Sequence, residues 1–186
     1  LDDGMELVSH PCTMDYHINE FPWEDIMHRA VRQGYRSHQT STCGLHLHVN
    51  RNAFSDNQEG QDEVISRILY FVEHHWNELL KFSRRSEYTM NRWAARYGYE
   101  HTPKAIMDKA KKGGNGRYAA VNLCNYHTVE FRLFRGTLKY NTFIATIQLV
   151  NRICDAAMYN TDDSIAKLSW SDFVADITEP ELIQYL

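Results

Sequence analysis

The sequence predicts an α+β fold with a mostly antiparallel sheet and helices packed on one face. Alternation of apolar and polar residues indicates strands at 44–50 and 128–135, and a short turn before the second of these indicates a partner strand at 118–123. Helical spacing of apolar residues indicates three helices, the longest at 62–82. Because the strands are segregated from the helices, an antiparallel sheet is favoured, and its second face is left to line a cleft.

The N-terminal quarter of the chain predicts a strand and then a helix. The segment 4–9 has strand-like composition and is closed by Pro11. Pro22 precedes a helix that ends at Gly34. Its apolar residues lie at helical spacing: Trp23, Ile26, Met27, Ala30 and Val31.

The second half of the chain predicts a loop, a hairpin and further helices. Residues 101–117 predict a mobile basic loop, because lysines and glycines are concentrated near its end. The strands 118–123 and 128–135 are joined by a short turn, which is typical of a hairpin. Asn141 is a candidate N-cap of the helix that runs through Cys154, and the amphipathic sequence from Ser164 onward predicts a last helix.

Length and composition predict one soluble globular domain over residues 1–186. Hydrophobic residues make up 43% of the chain and charged residues 24%, with a net charge of −4. This balance predicts neither a nucleic acid nor an anionic membrane as partner, and no apolar run is long enough to span a bilayer. The scattered cysteines and the acidic start without a signal peptide predict a cytoplasmic protein with reduced thiols. Because the chain also lacks an initiator Met, we expect it to be N-terminally incomplete.

The strand at 44–50 carries two histidines on one face. Leu45, Leu47 and Val49 alternate with His46 and His48, so the two imidazoles project from the same side of the strand. Neutral imidazole is a good ligand for divalent metals. An exposed polar strand face explains the same pattern equally well.

The strand at 128–135 carries an acid and a base on one face. Glu130 and Arg132 lie opposite Val129, Phe131 and Leu133. The carboxylate suits a hard cation, and the guanidinium suits a phosphate. An ordinary Glu–Arg pair on a solvated strand is the simpler interpretation of this segment alone.

Glu6 is the third candidate ligand borne by a strand. It stands between Met5 and Leu7, where an unpaired buried carboxylate would be costly, so it faces either solvent or a cation. Three strands would then each present Glu or His on one face. Further basic candidates are Arg117, Arg135 and the Arg84–Arg85 pair.

Motifs of several other chemistries are missing from the sequence. It contains no Gly-x-x-x-x-Gly-Lys-Ser/Thr loop, no Gly-x-Gly-x-x-Gly turn and no Gly-x-Ser-x-Gly elbow. Cys43, beside the two histidines, is a minor candidate for a nucleophile.

Four segments in order resemble the amidoligase family, within the carboxylate–amine ligases that are similar to glutamine synthetase and γ-glutamylcysteine synthetase. They span about residues 3–150, and together they are more specific than any one motif. The segments are Asp-Gly-Met-Glu-Leu-Val-Ser at 3–9, Cys-Gly-Leu-His-Leu-His-Val at 43–49, Arg117-Tyr118 with Val121-Asn122-Leu123, and Glu-Phe-Arg-Leu-Phe at 130–134.

The resemblance implies a glutamine-synthetase-like sheet that forms a funnel for ATP and Mg²⁺, with Mn²⁺ as a possible substitute. It implies that His46 and Glu130 are ligands of one metal and that Glu6 binds the metal that orients the transferred phosphate. Glu6, Glu130 and Arg132 would be catalytic. The nucleotide would contact His48, Arg117, Asn122 and Arg135.

The predicted function is therefore ATP-dependent amide ligation of small-molecule or peptide acids and amines through an acyl phosphate. The family pattern begins with a Gly-x-Glu-x-Glu strand, and this chain begins after that point. Two alternatives remain open from the sequence. One is a degraded ligase that only binds ligands, and the other is a metal-dependent hydrolase that uses His46 and His48 to activate water.

Overall fold

The computed structural model describes residues 4–38, 40 and 42–186. Helices dominate, and three strands form one sheet. The elements in chain order are α1 (Met14–Asn19), α2 (Trp23–Arg32), β1 (Gly44–Asn50), α3 (Gln58–His74), α4 (Trp76–Ser83), α5 (Glu87–Trp93), α6 (Pro103–Lys111), β2 (Val121–Asn122), β3 (Thr128–Arg135), α7 (Tyr140–Tyr159), α8 (Asp162–Lys167), α9 (Trp170–Ala175) and α10 (Pro180–Ile183). Single 3₁₀ turns occur at Arg51–Ala53 and Gly116–Tyr118.

The sheet has the order β1-β3-β2, and both strand pairs are antiparallel. The predicted hairpin is confirmed, although β2 contains only Val121 and Asn122. An isolated parallel bridge joins Ala95 to Ala119 beside β2. The α+β class with an antiparallel sheet is therefore confirmed.

The apolar face of the sheet packs against the helices. Val129, Phe131 and Leu133 of β3 are fully buried in one core with residues of α3, α4, α6 and α7. A smaller cluster packs Trp23 and Met27 of α2 against Phe143, Ile144 and Ile147 of α7. Alternation along β1 and β3 therefore directs His46, His48, Glu130 and Arg132 to the opposite face.

The predicted strand at 4–9 is wrong. These residues lie outside helices and strands, and all but one of them are exposed. A strand is stable when a neighbouring strand binds its backbone and one face is buried, and this segment has neither among the described residues. Glu6 is therefore not placed on a strand of the sheet.

The predicted loop at 101–117 is largely helix. Thr102 caps α6 by accepting a hydrogen bond from the Ala105 N–H, and Pro103 occupies the first turn. Ile106, Met107 and Ala110 bury one face of this helix. Two of its lysines form ion pairs, Lys109 with Glu100 at 2.9 Å and Lys111 with Asp62 at 2.6 Å. The loop predicted from these lysines is therefore wrong over Pro103–Lys111.

Three helix boundaries differ from the prediction. The long helix expected at 62–82 is divided at His75, whose buried ring lies 3.1 Å from the carbonyl of Leu168. The helix for which Asn141 is the predicted N-cap begins at Tyr140, so that Lys139 holds the N-cap position, and its side chain makes no capping hydrogen bond. The expected last helix is three short ones, α8 to α10.

Two composition-based expectations can be compared with the structure. All four cysteines lie in the described part of the chain, and each is unpaired. Within that part, no helix has both the length and the apolar character that crossing a membrane requires.

Candidate functional site

The site is built on the polar face of the sheet, around Glu130 at the centre of β3. His48 of β1 and Asn122 of β2 are its direct neighbours in the two adjoining strands. The pairing of β1 and β3 is irregular between Leu45 and Leu47. Such a bulge re-aims a side chain, and here it falls at His46.

Three side-chain nitrogen atoms lie close to one oxygen of the Glu130 carboxylate. Arg132 Nη1 lies 2.6 Å from Oε1, His46 Nδ1 lies at 3.2 Å and His48 Nε2 at 3.7 Å. Glu130 is 4% exposed, whereas the His46 and His48 side chains are 35% and 48% exposed. The carboxylate therefore forms the buried floor of the site, and the imidazoles form its accessible rim.

The other oxygen of Glu130 is held by amides. Asn122 Nδ2 donates to Oε2 at 2.6 Å, and Asn125 Nδ2 donates to the same atom at 3.3 Å. Asn122 Oδ1 in turn accepts from the Cys124 N–H at 2.9 Å. The turn between β2 and β3 therefore fixes the orientation of the carboxylate.

The surroundings of Glu130 keep it ionised. Burial acts to raise its pKa, but hydrogen bonds from His46 and Asn122 and the charge of Arg132 outweigh burial and lower the pKa to about 2. A buried carboxylate that remains charged is suited to bind cations.

A cleft of about 510 Å³ opens beside this cluster. Five arginines line it, together with the rings of Trp93 and Tyr118. In the part of the chain that the structure describes, no acidic side chain lines this cleft. The arginines are Arg84, Arg85, Arg117, Arg132 and Arg135. Such a concentration of one sign of charge in a concave surface attracts anions.

Two of these arginines come from the end of α4. Arg84 adopts a left-handed backbone conformation, with φ of 57°, which is unfavourable for a residue with a Cβ. Burial, with the charges of Arg132 and Arg135, lowers the pKa of Arg85. Mutual repulsion of this kind is relieved when an anion binds between the guanidinium groups.

Arg132 also has an unused donor. Its Nε is buried and has no hydrogen-bond partner among the described residues. Its guanidinium carbon lies 5.8 Å from the centre of the Tyr118 ring, and Arg117 donates to the Tyr118 hydroxyl at 2.9 Å. A buried donor without a partner is costly, so an anionic ligand here would be stabilised.

A family model described as "Putative amidoligase enzyme" matches residues 2–154. The chain belongs to the amidoligase family. The match includes the whole sheet and every arginine of the cleft. No curated protein and no solved structure matches the chain.

Most of the residues predicted for an amidoligase site come together in the structure. His46, His48, Asn122, Glu130 and Arg132 form one cluster, and Arg117 and Arg135 line the adjoining cleft.

Asn122 is 2% exposed, and its amide is used on Glu130. Its position therefore suits orienting that carboxylate better than contacting a nucleotide.

Glu6 is not among the residues that line the cleft. It is exposed, and the described residues contain no group of three or more His, Cys, Asp or Glu side chains placed to hold one metal ion. Its assignment as a metal ligand and catalytic residue stays a prediction.

The donor set around Glu130 fits a divalent cation with few protein ligands. His46 and Glu130 offer one imidazole and one carboxylate, and sites for phosphate chemistry often use so few, with phosphate oxygens and water filling the remainder. Arg132 Nη1, at 2.6 Å from Oε1, already neutralises the same oxygen. A cation at Oε1 would therefore compete with this guanidinium.

Two residues of the site, Asn125 and Trp93, are not among those predicted from the sequence. Asn125 follows β2 and supports Glu130, and Trp93 at the end of α5 lines the cleft. Both belong to segments without a recognisable motif. The hairpin turn before Glu130 was the available hint for Asn125, since turn amides often bind neighbouring side chains.

Proposed function

We propose that the protein joins a carboxylic acid to an amine with ATP, through an acyl phosphate. The observation that carries this proposal is the convergence of five arginines on one cleft beside the ionised Glu130. ATP and an acyl phosphate are both anionic, and one guanidinium group can donate hydrogen bonds to two phosphate oxygens at once. Membership of the amidoligase family favours a ligase.

The first step would transfer the terminal phosphoryl group. An oxygen of the acid attacks the γ-phosphorus of ATP, the bond from that phosphorus to the β,γ-bridging oxygen breaks, and ADP leaves. Negative charge is then spread over the phosphoryl oxygens, and preorganised positive groups stabilise it. Arg132, Arg135 and Arg117 line the cleft where that charge would develop.

The second step would form the amide. The amine nitrogen attacks the acyl carbon, the bond from carbon to the phosphate oxygen breaks, and inorganic phosphate and one proton are released. Holding both reactants in one site removes much of the entropic barrier. The aromatic rings of Trp93 and Tyr118 border the cleft and would limit access of water that hydrolyses the acyl phosphate.

A divalent cation, Mg²⁺ or Mn²⁺, would be held by His46 and Glu130. When bound, it would neutralise charge on the phosphate oxygens. His48 lies beside them with its Nδ1 3.0 Å from Thr128 Oγ1, which fixes the ring. His48 would then offer Nε2 to the nucleotide.

The test is ADP release by the purified chain with ATP, Mg²⁺, pooled acids and pooled amines. We expect release that requires both an acid and an amine, and hydroxylamine should trap the acyl phosphate as a hydroxamate. ATP binding without ADP release under any condition would identify a binding module instead. Hydrolysis of an amide without ATP, dependent on His46 and His48, would favour the hydrolase.

A matched pair of variants locates the activity. Arg135→Gln removes a guanidinium from the cleft, and Arg29→Gln removes an exposed one that pairs with Asp25 on α2. Loss of one group that stabilises transition-state charge lowers kcat by about a hundredfold or more, so we expect that effect from Arg135→Gln alone. Equal activity of the two variants would contradict the proposed site.

A further inference from the structure

The cleft that the five arginines line is called the arginine cleft below. A second cavity lies next to it. Its volume is about 310 Å³, and Arg84 and Arg135 line both spaces. We call this second space the side cavity. Its apolar wall consists of Val31, Phe82, Phe134 and Leu138. The anion-binding cleft and the partly apolar cavity therefore share two arginine residues.

The polar part of the side cavity is cationic or neutral. Lys139 joins Arg84 and Arg135 in its lining, and hydroxyl groups come from Thr137 and Thr142 among others. Within the described part of the chain, no acidic side chain lines the side cavity. A protonated amine would meet three positive charges there and no countercharge, so the side cavity disfavours an amine and favours an anion.

Two of the three cations that line the side cavity lie against an aromatic ring. Arg84 lies 4.7 Å and Lys139 5.6 Å from the centre of the Tyr185 ring, and Thr142 donates to the Tyr185 hydroxyl at 3.0 Å. Among the described residues, neither cation forms an ion pair with a carboxylate. A ring orients a cation without neutralising it, which leaves the positive charge to a ligand.

We propose that the side cavity binds the acid substrate, an uncharged apolar body that carries a carboxylate. The carboxylate would lie at Arg84 and Arg135, the wall shared with the arginine cleft, and the apolar body would contact Phe82 and Phe134. This arrangement would place the carboxylate next to a phosphate that the same two arginines contact from the arginine cleft. The inference rests on the proposed ligase function and specifies its acid.

Val31 offers a variant that tests the side cavity alone. It lines the side cavity and not the arginine cleft, and it is 53% exposed, so polar substitutions are compatible with folding. Val31→Glu adds a negative charge to the wall, and Val31→Gln adds nearly the same volume without charge. Any difference between the two variants therefore reports charge.

The probe is N-acetyl-L-leucine, with N-acetyl-L-leucinamide as its uncharged counterpart. Binding is measured by calorimetry on the full chain, with and without a non-hydrolysable ATP analogue and Mg²⁺. We expect the acid to bind the wild type and Val31→Gln with the same affinity. It should bind Val31→Glu at least about tenfold more weakly, because like charges repel. The amide should not bind, and the analogue should bind all three proteins equally.

The inference is overturned if the acid does not bind the wild type at millimolar concentration, if the amide binds as well as the acid, or if Val31→Glu binds the acid normally. Failure of the ATP analogue to bind would instead count against the proposed ligase function. Because the acid is also measured without the analogue, the two failures are distinguishable.

Discussion

Arg132 and Glu130, two residues apart on β3, form an ion pair in which Nη1 lies 2.6 Å from Oε1. Their side chains are only 14% and 6% exposed. Side chains two apart on a strand share a face, so the pair follows from the strand itself. The same carboxylate oxygen is the nearest acceptor for His46, at 3.2 Å. The guanidinium thus occupies a position that a bound cation would compete for.

Arg132→Met should therefore strengthen divalent-metal binding while abolishing ligation. Methionine keeps an unbranched apolar stem and removes the positive charge, so Oε1 of Glu130 becomes accessible to a cation. We expect Mn²⁺ affinity to rise by about tenfold, which corresponds to about 1.4 kcal/mol. Electron paramagnetic resonance of free Mn²⁺ during titration measures this affinity.

Arg135→Met is the matched control for the metal experiment. It also removes one positive charge from the cleft, but the ion pairs of Glu130 do not include Arg135. A general electrostatic effect would raise Mn²⁺ affinity equally in both variants. That result would show that Arg132 does not compete for the carboxylate.

Gly44→Ala should weaken anion binding without unfolding the protein. A Cβ at Gly44 would lie 2.8 Å from Arg85 Nη2 and 2.9 Å from His46 Nε2, so both side chains must move. Its backbone suits alanine, and reduced freedom of the unfolded chain offsets some of the cost. We expect pyrophosphate to bind about tenfold more weakly, while the free energy of unfolding changes by no more than about 1 kcal/mol.

A double-mutant cycle assigns this effect to Arg85. If Gly44→Ala acts by displacing that guanidinium, it should add little to the loss caused by Arg85→Ala. Additive losses of pyrophosphate affinity in the double variant would mean that the glycine acts elsewhere. Calorimetric titration of the four proteins gives the coupling free energy.

Local alternation was sufficient to predict the sheet and the floor of the site. In β1 and β3 the apolar residues alternate with polar ones over 44–50 and 128–133, and a buried core covers one side. The segment 4–9 has similar composition but no partner strand among the described residues, and composition alone does not provide one. The placement of Glu6 on a shared sheet face failed for this reason.

The arginine cleft depends on contacts that are distant in sequence. Arg85 follows α4, yet its guanidinium lies against Gly44 at the start of β1. Such proximity is a result of tertiary packing, and no local pattern indicates it. The helix within residues 101–117, in contrast, has a local signal, because Thr102 and Pro103 indicate a helix start. The lysines of the same segment favour a loop, and for this reason the helix is not predicted.

Tyr97→Phe should reduce the loss of folding stability that we expect at alkaline pH. Burial, the neighbouring Cys124 and the charge of Glu73 raise the pKa of Tyr97 from 10.0 to about 12. Between these values the unfolded chain loses the phenolic proton and the folded chain retains it, so stability falls as pH rises. The shift of about 2 units corresponds to a loss of about 3 kcal/mol at most.

Urea unfolding at pH 8 and pH 11.5 measures this loss in both proteins. The variant lacks the hydrogen bond from the Tyr97 hydroxyl to the Val121 carbonyl, at 3.0 Å, and should be less stable at pH 8 by about 1 kcal/mol. Its stability should then decline less than that of the wild type. Parallel declines would show that Tyr97 does not titrate differently in the two states.

Glu73→Gln should lower the free energy of unfolding and loosen the segment that supports the cleft. Glu73 is 5% exposed; its Oε2 accepts from Arg96 Nε at 2.7 Å, and its Oε1 accepts from the Tyr97 N–H at 2.6 Å. A glutamine amide has one acceptor oxygen and would turn a donor toward one of these donors. We expect the free energy of unfolding to fall by about 2–3 kcal/mol.

This loss should extend to the cleft, because the segment held by Glu73 supports its wall. Ala95 N–H donates to the Tyr118 carbonyl at 2.7 Å, and the Ala95 carbonyl accepts from the Ala120 N–H at 2.8 Å. We expect faster hydrogen exchange at these two amides. Glu63→Gln changes an exposed carboxylate whose partner Arg67 also pairs with Asp162, and it should change stability by less than about 1 kcal/mol and leave that exchange unaltered. Equal effects of the two variants would mean that the buried carboxylate does not anchor the wall.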